Sequence, residues 1–408
     1  MNCRHCATPL TQEFIDLVNS PASNSFLKAS QLDEPETFYP LRIFVCDKCF
    51  LVQIDEYKKA SDIFDADYAY FSSFSKSWLA HAKAYTDMIT PKIELNSESL
   101  VVEIASNDGY LLQYFKEKNI PVLGIEPTGN TAEVAVGKGI NTLVAYFGSE
   151  LAQKLAAEGT KADLIIGNNV LAHVPDINDF VKGLKTLLKP NGVITMEFPH
   201  LLQMVAQNQF DTIYHEHFSY LSFHSVKQVF EKQGLTLFDV EEIPTHGGSL
   251  RIYATHSDIP YRWTNNNAQT LLEKEHQAGI NTLAYYKGFQ EKATRVKYDL
   301  LAFIIEQKRA GKRIAAYGAA AKGNTLLNYC GVKQDMIDFI VDASTYKQGR
   351  FAPASHIPIV AEEELRKQKP DFVIILPWNL EAEITQQIAY IREWGGKFVV
   401  PIPTLKIT

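Results

Sequence analysis

Four of the chain's five cysteines stand in two pairs, Cys3-x2-Cys6 and Cys46-x2-Cys49, and only Cys330 lies elsewhere. A CxxC turn can aim two thiolates at one point, and two such turns complete the tetrahedral sulfur shell that Zn²⁺ favours. The pairs therefore predict a structural zinc module formed by Cys3, Cys6, Cys46 and Cys49. A closed Cys₄ shell leaves no open coordination position, so the metal is not expected to carry the chemistry. No apolar signal stretch precedes Cys3, which points to a reducing cytoplasm and away from paired disulfides. A redox CxxC opens a helix after a strand, and the first ten residues show neither. A [2Fe-2S] cluster could use the same ligands.

The 408 residues are 46% hydrophobic and 21% charged, enough to bury substantial cores and to divide into two or three domains. No apolar run approaches the length needed to cross a bilayer, so no membrane segment is expected. A net charge of −7 gives no general reason to bind nucleic acid, and the cysteines are not read as a DNA finger.

Three segments follow: 1–65 with the cysteines, 66–245, and 246–408. The first contains the β-rich stretch Leu41–Val45. An aromatic and hydroxyl-rich patch, Asp67–Phe74, precedes a helical pattern from about Ser77 to Ile89 and reads either as a packing hinge or as a wall of a substrate site. From about 99 to 240, strand and helix alternate, the signature of a mostly parallel sheet covered on both faces. Apolar strand cores stand at Leu100–Ile104, Val122–Ile125, Asp163–Ile166 and Val193–Met196. The pattern returns from 312 to 403, with strands at Lys312–Tyr317, Asp338–Asp342 and Asp371–Leu376. A charged helical stretch over 265–310 is expected to bridge the sheets. The fold class is thus α/β: a small Cys₄ module and two Rossmann-like domains.

Ligands of such sheets sit beyond the carboxyl ends of the strands, near the reversal of strand order. The first strand runs into Ala105-Ser106-Asn107-Asp108-Gly109, and the second ends in Glu126-Pro127. A tight turn lets backbone N–H groups approach a nucleoside, and an acid ending strand two can accept both ribose hydroxyls. Ala105 and Asn107 stand where glycines are usual, although Asn tolerates positive φ. The other reading is a buried turn with Asp108 as a helix cap. In the last segment, Gly318-Ala-Ala-Ala-Lys-Gly323 departs from G-x-G-x-x-G at Ala320, which disfavours NAD. Lys322 at the helix start could hold a phosphate, or could be a surface lysine.

Two polar clusters follow later strands of the first sheet. Asn168 and Asn169 lead to His173, and Tyr214-His215-Glu216-His217 packs four titratable side chains together. His215 and His217 could share a face and ligate a metal if extended, but no H-E-x-x-H accompanies them, and general acid/base work fits this density better.

The two CxxC pairs, Glu103–Gly109, Asn168–Pro175, Tyr214–His217, Thr245-His246-Gly-Gly-Ser249-Leu-Arg251 and Gly318–Asn324 occur in one order along nearly the whole chain. In this the sequence resembles the three-domain, zinc-containing sugar C-methyltransferases of deoxysugar biosynthesis. The resemblance implies S-adenosylmethionine in the middle domain, with Glu126 on its ribose and Ala105–Gly109, Pro127, Asn168 and Asn169 around it. It further implies a nucleotide-linked 4-keto-6-deoxyhexose, methylated at C3 and held by the middle and C-terminal domains. Lys322, Asn324, Trp378 and Asn379 would meet its nucleotide; Tyr68, Tyr70, His246, Ser249 and Arg251 are further candidate contacts.

A C–H bond beside a ketone is a weak acid whose removal needs a base and a stabilised enolate oxygen. His217 is the candidate base, oriented by Glu216 and Tyr214, and His173 the candidate donor to the C4 oxygen. A dTDP sugar is the favoured substrate, with GDP open, and a monomer would suffice. Rival readings are an O- or N-methyltransferase, a nicotinamide oxidoreductase, and a zinc-ribbon adaptor without activity.

Overall fold

The structure, a computed structural model, describes residues 1–59, 71–260, 263 and 265–408. Its strands, in chain order, are β1 Gln12–Ser20, β2 Tyr39–Val45, β3 Val52–Ile54, β4 Val101–Ile104, β5 Val122–Glu126 and β6 Thr142–Val144. Next come β7 Ala162–Asn168, β8 Leu188–Pro199, β9 Ser219–Tyr220, β10 Leu235–Ile243 and β11 Ser249–His256. The last are β12 Ile314–Tyr317, β13 Ile340–Val341, β14 Ile359–Val360, β15 Phe372–Ile375, β16 Lys397–Val400 and β17 Lys406–Ile407. They belong to two compact units, each assembled from separated stretches. One comprises Met1–Thr11, Val45–Leu201 and Phe218–Tyr285; the other comprises Gln12–Phe44, Leu202–His217 and Tyr286–Thr408.

The first unit is built on a seven-stranded sheet of order β10-β11-β8-β7-β4-β5-β6. β4 to β8 are parallel, because helices connect them, while β10 and β11 are antiparallel. The short Pro244–Gly248 connection leaves no residues for a crossover, so the last two strands must form a hairpin. Strand order reverses beside β4, between β5 on one side and β7 on the other, which sets the ligand crevice at the ends of these three strands. The apolar runs bury both faces. Val101, Leu164, Ile166 and Val193 join one core while Val102, Ile104, Ile165 and Ile194 join the other. Alternate side chains of a strand point to opposite faces, so a sheet covered on both sides needs uninterrupted apolar strands. β3 pairs antiparallel with β9, Val52 opposite Tyr220 and Gln53 opposite Ser219.

The second unit carries a six-stranded sheet of order β14-β13-β12-β15-β16-β17, parallel except for β17. Its reversal lies between β12 and β15, so the turns after Tyr317 and Ile375 form its crevice. The expected charged stretch is two helices. Asn267–Ala278 belongs to the first unit, and Phe289–Arg309 to the second, burying Phe289, Ala293, Val296, Leu300, Phe303 and Ile304 at helical spacing. Among the described residues no helix is long and apolar enough to cross a membrane.

Candidate active site and metal centre

The four predicted cysteines converge. Cys3 Sγ lies 3.5 Å from Cys49 Sγ, Cys6 Sγ lies 3.5 Å from Cys46 Sγ, and all four sulfurs fall within 4.8 Å of one another. Four ligands about 2.3 Å from one Zn²⁺ stand roughly 3.8 Å apart in a tetrahedron, whereas a disulfide needs about 2.05 Å, so this spacing fits the metal. Two similar turns build the shell: Ala7 N donates to Cys3 O and Phe50 N to Cys46 O. Ala7 and Phe50 adopt φ of 62° and 57°, the left-handed conformation that turns the chain back. Gln53 Nε2 donates to Cys3 Sγ and Lys48 N to Cys46 Sγ, bonds of the kind that orient thiolate ligands. The hydrogen bond from Cys49 lowers the Cys3 thiol below the ordinary thiol range.

In the first unit, the turn after β4 lies at the predicted crevice. Ala105 (φ 57°), Asn107 (φ 50°) and Gly109 (φ 74°) are all left-handed, so the turn keeps the geometry for which glycine is usual while only one position has it. Glu126, 4% exposed, accepts from Asn107 N at 2.8 Å, from Thr128 N at 2.9 Å and from Thr128 Oγ1. Its carboxylate thus fixes the turn, accepting twice on Oε1 and once on Oε2, and one acceptor position remains on Oε2. Pro127 follows it, half-buried. Ser106 Oγ is buried without a partner among the described residues. Asp108 is buried but caps no helix: it accepts from Ser73 N and Oγ, and Asn107 Oδ1 accepts from Ser72 N. The described end of the aromatic patch, Phe71–Phe74, therefore docks on this turn. Tyr68 and Tyr70 lie outside the described residues.

Burial pushes the Glu103 carboxyl well above the ordinary range; Tyr110 opposes this, while Glu126 and Asp108 add to it. At the end of β7, Asn168 Nδ2 faces Tyr110 Oη at 3.4 Å, and Asn169 Nδ2 meets His246 Nε2 at 3.1 Å. Trp78 stacks on Tyr110 and meets His246 edge-on at 5.3 Å. His173 closes the short helical turn Leu171–His173, half-buried.

Sequence reasoning did not find the network beside this cluster. His81 Nε2 stands 2.8 Å from Glu197 Oε2, Arg251 binds Glu197 and Glu241, and the Arg251 guanidinium covers the Tyr85 ring. Burial alone would raise the Glu197 carboxyl; the His81 hydrogen bond and the Arg251 charge outweigh it and hold it low. Arg251 is therefore committed within the protein, and Ser249 Oγ donates to Thr245 O. The available signal was Trp78 and His81 at i, i+3, which places both on one helix face.

The second unit holds the Tyr214–His217 cluster. His217 Nδ1 lies 2.8 Å from Thr212 O. A carbonyl only accepts, so Nδ1 carries the hydrogen and the Nε2 of a neutral ring carries the lone pair. The Tyr214 ring lies 4.0 Å from that of His217, centroid to centroid, and Glu216 Oε1 accepts from Asn24 Nδ2 at 2.7 Å. His215 turns to Pro40 O instead. Four groups near the crevice of this unit's sheet then come together. Lys322 Nζ donates to Asn379 Oδ1 at 2.7 Å and lies 4.7 Å from the centre of the Trp378 ring, whose Nε1 donates to Asp211 Oδ2 at 2.8 Å. Asn324 is turned elsewhere, donating to Ser23 O. Asp342, directly after β13, accepts from Ala319 N at 2.8 Å in the turn after β12.

Burial raises the Asp211 carboxyl to about 6, with Lys322 and Trp378 opposing, and lowers the Lys322 ammonium, with Asp211 opposing. Because the folded state favours the protonated acid, Asp211 costs stability as pH rises from about 4, and the cost is complete above about 6. Asp211→Asn keeps an acceptor for Trp378 and removes the titration. Relative to the parent chain, it is expected to gain on the order of 3 kcal/mol between pH 4 and pH 7, read from urea unfolding at both values. A difference independent of pH would show that Asp211 does not titrate in this window.

Family comparisons match the whole organisation. A zinc binding domain model matches residues 3–64, a methyltransferase domain model 80–240, and a C-methyltransferase C-terminal domain model 244–403. The chain is 33% identical over 405 residues to the C-methyltransferase NovU of Streptomyces niveus, covering 99% of this chain and 96% of that protein. A ubiquinone biosynthesis O-methyltransferase of Bartonella tribocorum is 28% identical over 95 residues, 23% of this chain and 38% of its own length. Among solved structures, the PH0226 protein from Pyrococcus horikoshii OT3 is similar at TM-score 0.39 and 15% identity, over 46% of this chain and 95% of that one. On the full-length match, the chain belongs to the C-methyltransferases, enzymes with a zinc-binding domain, a methyltransferase domain and a C-methyltransferase C-terminal domain.

Proposed function

We propose that the enzyme transfers a methyl group from S-adenosylmethionine to C3 of a nucleotide-linked 4-keto-6-deoxyhexose through an enolate, with dTDP as the favoured carrier. The observation that carries this reading is His217, whose Nδ1 is engaged by Thr212 O so that Nε2 has the lone pair of a base. Methylation of oxygen or nitrogen needs no carbon-acid base. When bound, the cofactor supplies a methyl group made electrophilic by its sulfonium charge. Glu126 accepts a ribose hydroxyl at its remaining acceptor position, and Ala105–Gly109, Pro127, Asn168 and Asn169 surround the rest. His217 takes the C3 proton, with Tyr214 against its ring and Glu216 beside it in sequence. His173 donates to the C4 oxygen as charge develops there.

Lys322 and Asn379 hold the diphosphate, with the Trp378 face beside it; the Lys322 side chain can transfer its hydrogen bond from Asn379 to a phosphate oxygen. Tyr68, Tyr70 and His246 are candidate contacts of the sugar nucleotide, whereas Asn324 holds Ser23 O, and Ser249 and Arg251 fix the strand that carries them. The zinc, saturated by four thiolates, is structural.

The test is isotope exchange. In D₂O, with S-adenosylhomocysteine replacing the methyl donor, the enzyme is expected to introduce deuterium at C3 of a dTDP-4-keto-6-deoxyhexose. Methyl transfer to a sugar oxygen without exchange would overturn the reading. Glu126→Gln is expected to weaken S-adenosylmethionine binding by calorimetry roughly 10- to 100-fold, the loss of about 1.5–3 kcal/mol for hydrogen bonds to a charged acceptor.

A further inference from the structure

The residues between the first two cysteines do more than close a turn. Arg4 reaches out of it with both terminal nitrogens of its guanidinium: Nη1 donates to Pro175 O at 2.8 Å, Nη2 donates to Ile54 O, and the group lies 5.4 Å from the centre of the Phe218 ring. Its backbone N–H is held by Gln53 Oε1 at 2.9 Å, and Gln53 in turn donates to Cys3 Sγ. From the other side Asn178 Nδ2 donates to Arg4 O at 3.0 Å and to His5 O at 2.9 Å, while Asn178 Oδ1 meets His5 Nδ1 at 2.9 Å. The partners are informative by position. Pro175 lies two residues after His173, Asn178 is the second residue of the next helix, and Phe218 follows His217 directly. Every one of these contacts lies within the first unit.

We propose that Arg4 is a positioning residue for methyl transfer, tying the loop that carries His173 and the chain leaving His217 to the cysteine turn. The inference rests on the roles proposed above for those two histidines. A forked guanidinium bonding two carbonyls fixes their separation as well as their distance from the turn, which a single ammonium does not do. The function given to the zinc module is thus specific: its first turn is the fixed point from which a substrate-facing loop is set.

Arg4→Ala and Arg4→Lys are compared with the parent enzyme for zinc per chain, backbone hydrogen exchange over residues 171–178, and kcat and KM on a dTDP-4-keto-6-deoxyhexose. Both variants are expected to keep one zinc, to exchange faster over 171–178, and to lose kcat by roughly 10-fold, a typical effect of residues that orient functional groups. Adding Arg4→Ala to His173→Ala is expected to cost less than adding it to the parent, because the two act through one loop. Unchanged exchange with unchanged kcat would overturn the proposal, as would a full additive loss in the double variant. Should His173→Ala retain full turnover, the role of His173 fails, and exchange over 171–178 alone then decides whether Arg4 sets the loop. If Arg4→Ala does not hold zinc, Arg4→Lys decides alone, since it keeps a cation at the turn but cannot bridge Pro175 O and Ile54 O together. Parent-like exchange and turnover in that variant would equally overturn the proposal.

Discussion

Replacing His217 with alanine is expected to stop methyl transfer while leaving the fold and the zinc in place. General-base catalysis contributes about 10²- to 10⁴-fold, so on the proposed mechanism a loss in that range is expected in kcat. The structural cost is small. His217 is half-buried, and losing its hydrogen bond to Thr212 O costs about 1 kcal/mol. On the proposed mechanism, deuterium wash-in at C3 must fall together with turnover, because both need the same proton removed. His217→Gln sharpens the result: an amide can still donate towards Thr212 O but cannot take a proton, so it should resemble alanine in rate and the parent in melting. A variant that exchanges C3 at the parental rate yet fails to methylate would assign His217 to another step.

The site was legible where chemistry forces residue types and illegible where it depends on distant chain segments. Cysteine spacing is local, so the metal shell could be read directly, as could the acid closing β5. The turn after β4 looked degenerate, since Ala105 and Asn107 replaced glycines, but both took the left-handed backbone that the turn demands. Asp108 could be read as a helix cap from its neighbours alone; its real partners, Ser73 and Lys138, come from 35 residues before it and 30 after it. Glu197 gave no signal because its partners His81 and Arg251 arrive from a helix 116 residues earlier and a strand 54 residues later. Asp211 and Asn24 were missed for the same reason. The compact units themselves interleave separated stretches, with Leu202–His217 joining the C-terminal sheet's unit, an arrangement that no run of composition records.

Removing zinc is expected to damage the enzyme more broadly than any single change at the proposed base. Cys46 is fully buried, Cys3 and Cys49 are 3% exposed, and all three belong to the same core as the sheet residues Val102, Ile165 and Phe198. Loss of the metal would leave four thiols packed within 4.8 Å with no cation to hold them together. Structural zinc sites supply about 10–16 kcal/mol in isolated peptides, comparable with the whole stability of a domain at about 5–15 kcal/mol. Cys46→Ser, or a strong chelator under reducing conditions, should therefore lower the melting temperature by about 10 °C or more, since each kcal/mol shifts a chain of this size by roughly 1 °C and on the order of 10 kcal/mol are at stake. Metal analysis should find one zinc per parent chain and much less than one in the variant. The damage should spread by a defined route: exchange should quicken first in the cysteine turns, then over residues 171–178, which the first turn holds through Arg4 and Asn178. Cofactor affinity should decline less than turnover, since Glu126 and its turn are anchored in the sheet by Thr128 and Asn107. An apo enzyme with parental melting and parental kcat would show that the cysteines pack without need of metal, and an apo enzyme that loses S-adenosylmethionine binding before loop protection would place the zinc's influence at the cofactor instead.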